Sequence, residues 1–583
     1  MAIITPENSL GSSLKGKRGA ALKRYRKLED DRSSWRAQWQ EITDYLLPRR
    51  GRYLLESQGV KGRKRNNKIV DNTAGQALRT LGAGMMSGLT SPTRPWFRLM
   101  TRDDELMEQE GVKAYLGEVE SVLRRILSST NFYTAVSSMY TELGAFGTGV
   151  LYRRRHPQNV VSFRCLTAGE YVIAENDHNQ VDTLGRDFTM TISQIVEQFV
   201  LDPITKKPDW SKVSDTVKNH WNQKNYDQLI NVVHMIQPRR QKERDLRKMD
   251  GVNRPYADMY FEKGRKNEDA GGELLQDGGH MRRPFFAVRW DVLNGDIYGY
   301  SPAMEQLGDI KQLQHEQRRK AQAIDKMVNP PMTAPTSLKG KPTTVIAGGT
   351  TYVDQQNGGA GFQPAYLVQP RINEMMMDIQ EVQGRIQRGF YADLFAMMIN
   401  SDRRQMTATE VAERHEEKLA LLGPVLQRLN SELLDPLIED LFLIAFEEGL
   451  LPEPPEALTE ADIEIKYVSL LAQAQEASAA ASMERTMGFA GNLAGIDPSI
   501  MDNFDLDQGV REYSEILGNS PKLLREKAAR DQLRADRAEA EQRAVLAEQA
   551  NGAADTARLL SEADTQNPNA LTDLLGRGES IGA

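Results

Sequence analysis

Two long amphipathic segments, separated by an insertion rich in glycine and proline, restrict this chain more than any other feature. The first opens at Ser301-Pro302, a hydroxyl cap followed by the residue best tolerated in a first helical turn. Glu305 lies in that turn, near the positive end of the dipole. Met304, Leu307, Ile310, Leu313, Gln317, Ala321, Ile324 and Val328 then recur every three or four residues, with Lys311, His315, Arg318, Arg319 and Lys326 on the other face. Asn329-Pro330-Pro331 ends it. The second segment repeats the pattern through Ile372, Met375, Met376, Ile379, Val382, Ile386, Phe390 and Leu394, and carries Arg385 and Arg388. Helices of this size are about 35–40 Å long. The spacing predicts two struts, 301–328 out and 371–395 back, carrying something at the far end.

Residues 329–370 occupy that end. Thr343-Thr344-Val345-Ile346 and Thr350-Thr351-Tyr352-Val353 read as short strands about a Gly348-Gly349 turn, in a small β-containing module. A polar loop, Asn400-Ser401-Asp402-Arg403-Arg404, follows the second strut. Thr407 and Glu410 then form a T-x-x-E capping box, each satisfying a free amide of the other. An apolar stripe continues from Val411 through Leu422, Leu429, Leu437 and Ile444, interrupted by Pro424 and Pro436, which predicts a bent helix over 407–448.

At 583 residues the chain needs two to four structural units. Hydrophobic content of 40% beside 27% charged residues describes a soluble globular protein. Cys165 is the single cysteine, so no disulfide forms within the chain and a reducing compartment suits it. No apolar run has the length of a bilayer span, and the N-terminus lacks a charged-then-apolar signal pattern. The formal charge of −7 is the wrong sign for a protein that grips nucleic acid.

Along the rest of the chain, residues 1–21 read as a flexible arm. Gly11 to Arg18 approaches phosphate-loop spacing, but Arg18 replaces the hydroxyl residue that would hold magnesium and no strand precedes it. Helices are expected over 22–47, 69–89 and twice within 111–143, the second of these four with Gly75, Gly82, Gly84 and Gly88 admitting another backbone. Lys61 to Arg65 is a basic cluster in a loop. Strands are expected at 150–153, 160–163, 171–174, 181–188, 232–237 and 285–290, helices at 191–199 and 210–219, and loops throughout 239–281. Beyond Pro455 the pattern gives helices at 470–490, 507–517 and 522–550, the last suited to a bundle shared between subunits, and a frayed tail over 551–583. The seven histidines lack metal-binding spacing, His156 and Cys165 carry no mark of a base and nucleophile, and no G-x-S-x-G elbow or acidic two-metal cluster is present. The residues predict no catalytic site, no metal and no cofactor.

Five stretches stand out together: Trp39-Gln-Glu-Ile-Thr-Asp-Tyr-Leu-Leu-Pro-Arg-Arg-Gly51, Asp71-Asn-Thr-Ala74 leading to Ser91-Pro-Thr-Arg-Pro-Trp-Phe97, Phe146-Gly-Thr-Gly149, Tyr298-Gly-Tyr-Ser-Pro-Ala-Met304 and Met406-Thr-Ala-Thr-Glu-Val-Ala-Glu-Arg414. Taken together they resemble the head-to-tail connecting (portal) proteins of short-tailed, T7-like bacteriophages. They fall in the family's order across residues 22–530. The resemblance implies an α+β, mainly helical portal fold in a dodecameric ring at one capsid vertex, a conduit for double-stranded DNA in packaging and ejection. Residues 22–300 would be the wing, 301–328 and 371–395 the stem, and 329–370 the clip, with Val345, Ile346, Tyr352 and Val353 at subunit or adaptor contacts. Residues 396–406 would be the tunnel loop facing DNA, 407–448 the long wing helix, 449–520 the crown and 521–550 a barrel helix. Implied partners are the packaging terminase, a tail adaptor, major capsid and scaffolding proteins and internal core proteins, with no membrane. The implied location is the virion, after assembly in the host bacterial cytoplasm. The alternatives are a shell or scaffolding protein without a DNA channel, and a motor ATPase or nuclease.

Overall fold

The computed structural model describes residues 16–51, 67–103, 111–202, 207–248, 250–264, 273–293, 295–334, 371–401, 422–458, 463–495, 497–516 and 527–562, with a few isolated positions between them. Helix α1 (Gly16–Tyr45) begins earlier than its sequence pattern suggests. It is followed by α2 (Thr73–Leu89), strand β1 (Phe97–Thr101), α3 (Val112–Ser129) and α4 (Phe132–Phe146). Gly147, at φ 73°, closes α4 and turns the chain into β2 (Thr148–His156). A Cβ there would sit 2.1 Å from the Gly299 carbonyl oxygen, so both the turn and the close approach require glycine.

Strand β3 (Val160–Leu166) pairs with β2. Strands β4 (Tyr171–Glu175) and β5 (Val181–Thr191), helix α5 (Asp215–Asn222), then β6 (Leu229–Pro238), β7 (Tyr256–Glu262) and β8 (Gln276–His280) follow. The five strands pair in chain order as an antiparallel sheet, and β9 (Phe285–Arg289) returns to the free side of β2. The expectation of loops throughout 239–281 is therefore corrected: β7 and β8 lie within it. Asp258 interrupts the apolar pattern of β7, yet it is buried, with its carboxylate bonded to histidines on both neighbouring strands.

Ser301 Oγ accepts the amide of Met304 and starts the first strut, a single turn leading into α6 (Leu307–Val328). Just beyond it, β10 (Met332–Thr333) pairs with β11 (Gln363–Pro364), so the two ends of the insertion meet at the tip of the strut. The return strut is α7 (Ile372–Gly389), and it is shorter than its periodicity predicts. Tyr391 adopts φ 53°, breaking the helix, and α8 (Ala392–Ser401) leaves in a new direction. The break is held by packing: a Cβ on Gly84 of α2 would lie 2.2 Å from the Phe395 ring, and one on Gly389 would lie 2.3 Å from the Gln306 side chain. The small residues of α2 thus admit the Phe395 side chain at Gly84 and, at Gly82, both the side chain and the backbone of Thr141.

The long helix is described from residue 422 onward. A π-turn, Asn430–Leu434, lies between helical residues 422–429 and α9 (Asp435–Glu447), with Pro436 just after the π-turn. Strand β12 (Ile463–Tyr467) pairs antiparallel with β1, a contact that neither segment announces locally. Helices α10 (Leu470–Ala494), α11 (Leu506–Ile516) and α12 (Lys527–Glu562) complete the chain. α12 extends 12 residues into the expected frayed tail, and nearly all its described side chains are exposed. The main core runs from Trp39 and Leu78 through Tyr140 and Phe146 to Ile310, Val382, Phe390 and Leu433. α1 packs on the five-stranded sheet through Leu22, Tyr25, Val233 and Phe261 in a second cluster.

Candidate functional site: the root of the strut pair

Asp71 ties both struts to the body. Its Oδ1 accepts the Thr73 amide (2.8 Å) and hydroxyl (2.5 Å), doing the capping work that Asn72, at the start of α2, does not. Its Oδ2 accepts the side-chain amides of Gln317 on α6 (2.9 Å) and Gln383 on α7 (2.8 Å). Buried Gln314 completes the joint: its Oε1 accepts the amides of Val70 (2.6 Å) and Asp71 (2.8 Å), and its Nε2 donates to the Asp71 carbonyl (2.9 Å). Glutamines within an otherwise apolar stripe were the sequence signal for this joint, and the periodicity reading passed over Gln314 and Gln383.

Burial raises the Asp71 pKa, but the bonds from Thr73, Gln383 and Gln317 outweigh it and hold the carboxyl below the usual carboxylate range. The stability it contributes is present above the unfolded carboxylate value and lost as pH falls through the lower folded value. Asp71→Asn presents an amide to donors and is expected to cost about 1–3 kcal/mol at neutral pH. In urea titrations its deficit against wild type should shrink below about pH 4; a deficit constant with pH would exclude a role for the charge.

The six lysines and arginines singled out on the struts do not form one patch. Lys311 donates to Glu41 (2.7 Å), Arg318 to the carbonyls of Lys68 (3.2 Å) and Asn67 (3.4 Å), and Arg385 to Asp309 and Glu381 (both 3.3 Å). These three brace the root. Arg319, Lys326 and Arg388 are exposed, with Arg319 bonded to Gln322 on its own helix (3.3 Å). Burial divides the hairpin in the same way. Ile310, Leu313, Ile379, Val382 and Ile386 are buried near the root, whereas Ile324, Met327, Val328, Met376 and Met377 are 38–76% exposed beyond it.

Asn400 and Ser401 end helix α8 instead of opening a polar loop. Asp402, Arg403, Arg404, Thr407 and Glu410 lie outside the described residues, as do Val345, Ile346, Tyr352 and Val353 of the insertion.

Two buried arginines fix the long helix to the sheets. Arg153 on β2 donates twice to Asp440 (2.8 and 2.7 Å). Arg289 on β9 bonds Glu432, inside the π-turn, and Glu175 (each 2.8 Å). The fold also gathers dispersed histidines: His234 and His280 approach Asp258 at 2.6 and 3.2 Å. Arg186 Nε donates to His234 Nδ1 (3.1 Å), so Nε2 carries the proton towards Asp258. Burial pushes His234 down to about 4, which makes it a neutral structural link with no free nitrogen for acid–base work. Cys165 pairs with Leu151, whereas His156 faces Val160 at the hairpin end and accepts two local amides, so these two are not brought together. Lys17 and Arg18 of the incomplete phosphate-loop pattern bond Asp277 and the Glu262 carbonyl from the start of α1. Among the described residues, no cluster of three His, Cys, Asp or Glu could hold a metal, and no helix is long and apolar enough to cross a membrane.

Comparison with known proteins places these features. The family model described as bacteriophage head to tail connecting protein matches residues 18–524. The chain is 44% identical over 553 residues to a probable portal protein of Bordetella phage BPP-1, covering 95% of this chain and 97% of the relative. It is 40% identical over 552 residues to a portal protein of Salmonella phage epsilon15, covering 94% and 96%. A chain in the virion of a native gene transfer agent particle aligns with 72% of this chain and 86% of its own, at 11% identity and a TM-score of 0.33, too low to bear on fold. The span matched by the family model includes the Asp71 joint, both struts and the long helix, and the chain belongs to the bacteriophage head-to-tail connecting protein family.

Proposed function

We propose that this chain is a portal protein: a ring at one vertex of the capsid, through which the genome is packaged and ejected. The observation carrying this is the near full-length similarity to two phage portal proteins. The strut pair supports it physically, since a hairpin with a buried root and an exposed apolar far half is built to be walled by copies of itself. A dodecamer is the copy number proposed. The insertion at the strut tips would meet the packaging terminase and later a tail adaptor, and the wing would meet capsid and scaffolding proteins. No chemical step is assigned to the chain.

Charge suits passage. Duplex DNA carries one phosphate charge per about 1.7 Å of axis, and each neutralised phosphate adds affinity, so an arginine-lined bore would hold what it should release. A net charge of −7 per subunit opposes such trapping. Arg403 and Arg404 are the proposed exception at the constriction. Arg403→Ala with Arg404→Ala should lower the DNA packaged per head several-fold, and wild-type packaging would remove this loop from the mechanism. The portal assignment itself is tested by phage lacking the chain. Heads without DNA are expected; filled heads would favour a shell or scaffolding role.

A further inference from the structure

Exposed charge is divided unequally between the two struts. On the far half of α6, Arg319 and Lys326 are exposed seven residues apart, on one helical stripe, beside Ile324 and Met327, with exposed Asp325 to one side of that stripe. On α7, Glu374, Asp378 and Glu381 are exposed at helical spacing around Met377, which is 70% exposed. Within the chain, Glu374 pairs with Arg371, an exposed residue just before α7, and Glu381 pairs with half-buried Arg385. Neither the charges nor the methionines of this half are covered by the subunit that carries them.

We propose that the basic, apolar stripe of α6 docks on the acidic, methionine-bearing stripe of α7 in a second copy of this chain. The inference rests on the ring reading and specifies which face meets which. Interfaces in a closed ring of identical subunits are heterologous, so one flank of each hairpin must meet the opposite flank of the next. If the hairpins stood radially instead, α6 would meet α6 and α7 would meet α7, placing like charges opposite one another. The charge division favours the tangential arrangement. Methionine suits such a seam, because a flexible thioether side chain fills gaps between helices that were not folded together. Arg318 takes no part, being committed to the carbonyls of residues 67 and 68.

Charge reversal tests the pairing. One variant carries Glu374→Lys, Asp378→Lys and Glu381→Lys; the other carries Arg319→Glu and Lys326→Glu. All five positions are exposed, so circular dichroism should show wild-type helix content and melting for both. By size-exclusion chromatography and negative-stain microscopy, each variant alone should lose at least ten-fold in ring yield. An equimolar mixture should recover rings in which the two variants alternate. Rings from either variant alone would overturn the pairing while leaving the ring reading intact, and so would a mixture that stays unassembled. A neutral set, Glu374→Gln, Asp378→Asn and Glu381→Gln, gives a second reading: its rings should form but lose the salt sensitivity of wild type, and unchanged salt sensitivity would also overturn the pairing. If the basic stripe served DNA instead, the Arg319→Glu, Lys326→Glu variant would form rings normally and fail only in packaging. Absence of rings from the wild-type protein would count against the portal reading itself.

Discussion

Asp440→Ala is expected to destabilise the protein by about 3–5 kcal/mol, because it breaks a buried ion pair. Arg153 and Asp440 are each 5% exposed, and their two-bond contact joins β2 to α9 across the core. Removing the carboxylate leaves a guanidinium in a site without water to solvate it, and that desolvation makes up most of the cost. Arg153→Met combined with Asp440→Leu should therefore cost less than either Arg153→Ala or Asp440→Ala alone. Urea unfolding of the three variants measures this; a double variant as unstable as the sum of both single ones would contradict it.

Phe395→Ala is expected to cost about 3–5 kcal/mol by emptying a fully buried ring site. Its consequence is more local than that of Asp440→Ala. The Phe395 ring, seated on Gly84, packs α8 against α2 just beyond Tyr391, which holds a left-handed conformation. That conformation costs a non-glycine residue about 1–2 kcal/mol. Without the ring, the continuous apolar phase of Ile386, Phe390 and Leu394 favours one straight helix. Hydrogen exchange should then show protection of the Ala392 and Leu394 amides, in the first turn of α8, rising as that of α8 against α2 falls. Unchanged exchange at these amides would mean that the break does not depend on this packing. Gly84→Leu approaches the same site from α2 and should displace Phe395 in the same way.

The hairpin of struts was legible from sequence because a helix that buries one stripe repeats every three to four residues, and its Ser-Pro start and Asn-Pro-Pro stop are local chemistry. The end of the return strut was not, because the break at Tyr391 is imposed by Gly84 and Gln306, residues distant in sequence. The strand pair β1–β12 and the interior strand β7 were missed for related reasons. One depends on a partner hundreds of residues away, and the other carries an aspartate whose burial is affordable only once His234 and His280 are in place. The Asp71 joint stood in a quoted motif, yet its meaning appeared only when Gln317 and Gln383 converged on one carboxylate. Three of the five resemblance motifs contain joints of this kind: Asp71 at the strut root, Gly147 against Gly299, and Ser301 capping the first strut.

The most direct measurement of the central claim is an electron-microscope image of the purified, assembled protein viewed down its symmetry axis. A closed ring is expected, with the α6–α7 hairpins around an axial opening at least as wide as a DNA duplex, about 20 Å, enough for a helix whose major groove alone is about 12 Å across. A monomer at assembly concentrations, or a ring whose centre is filled by those hairpins, would contradict the account.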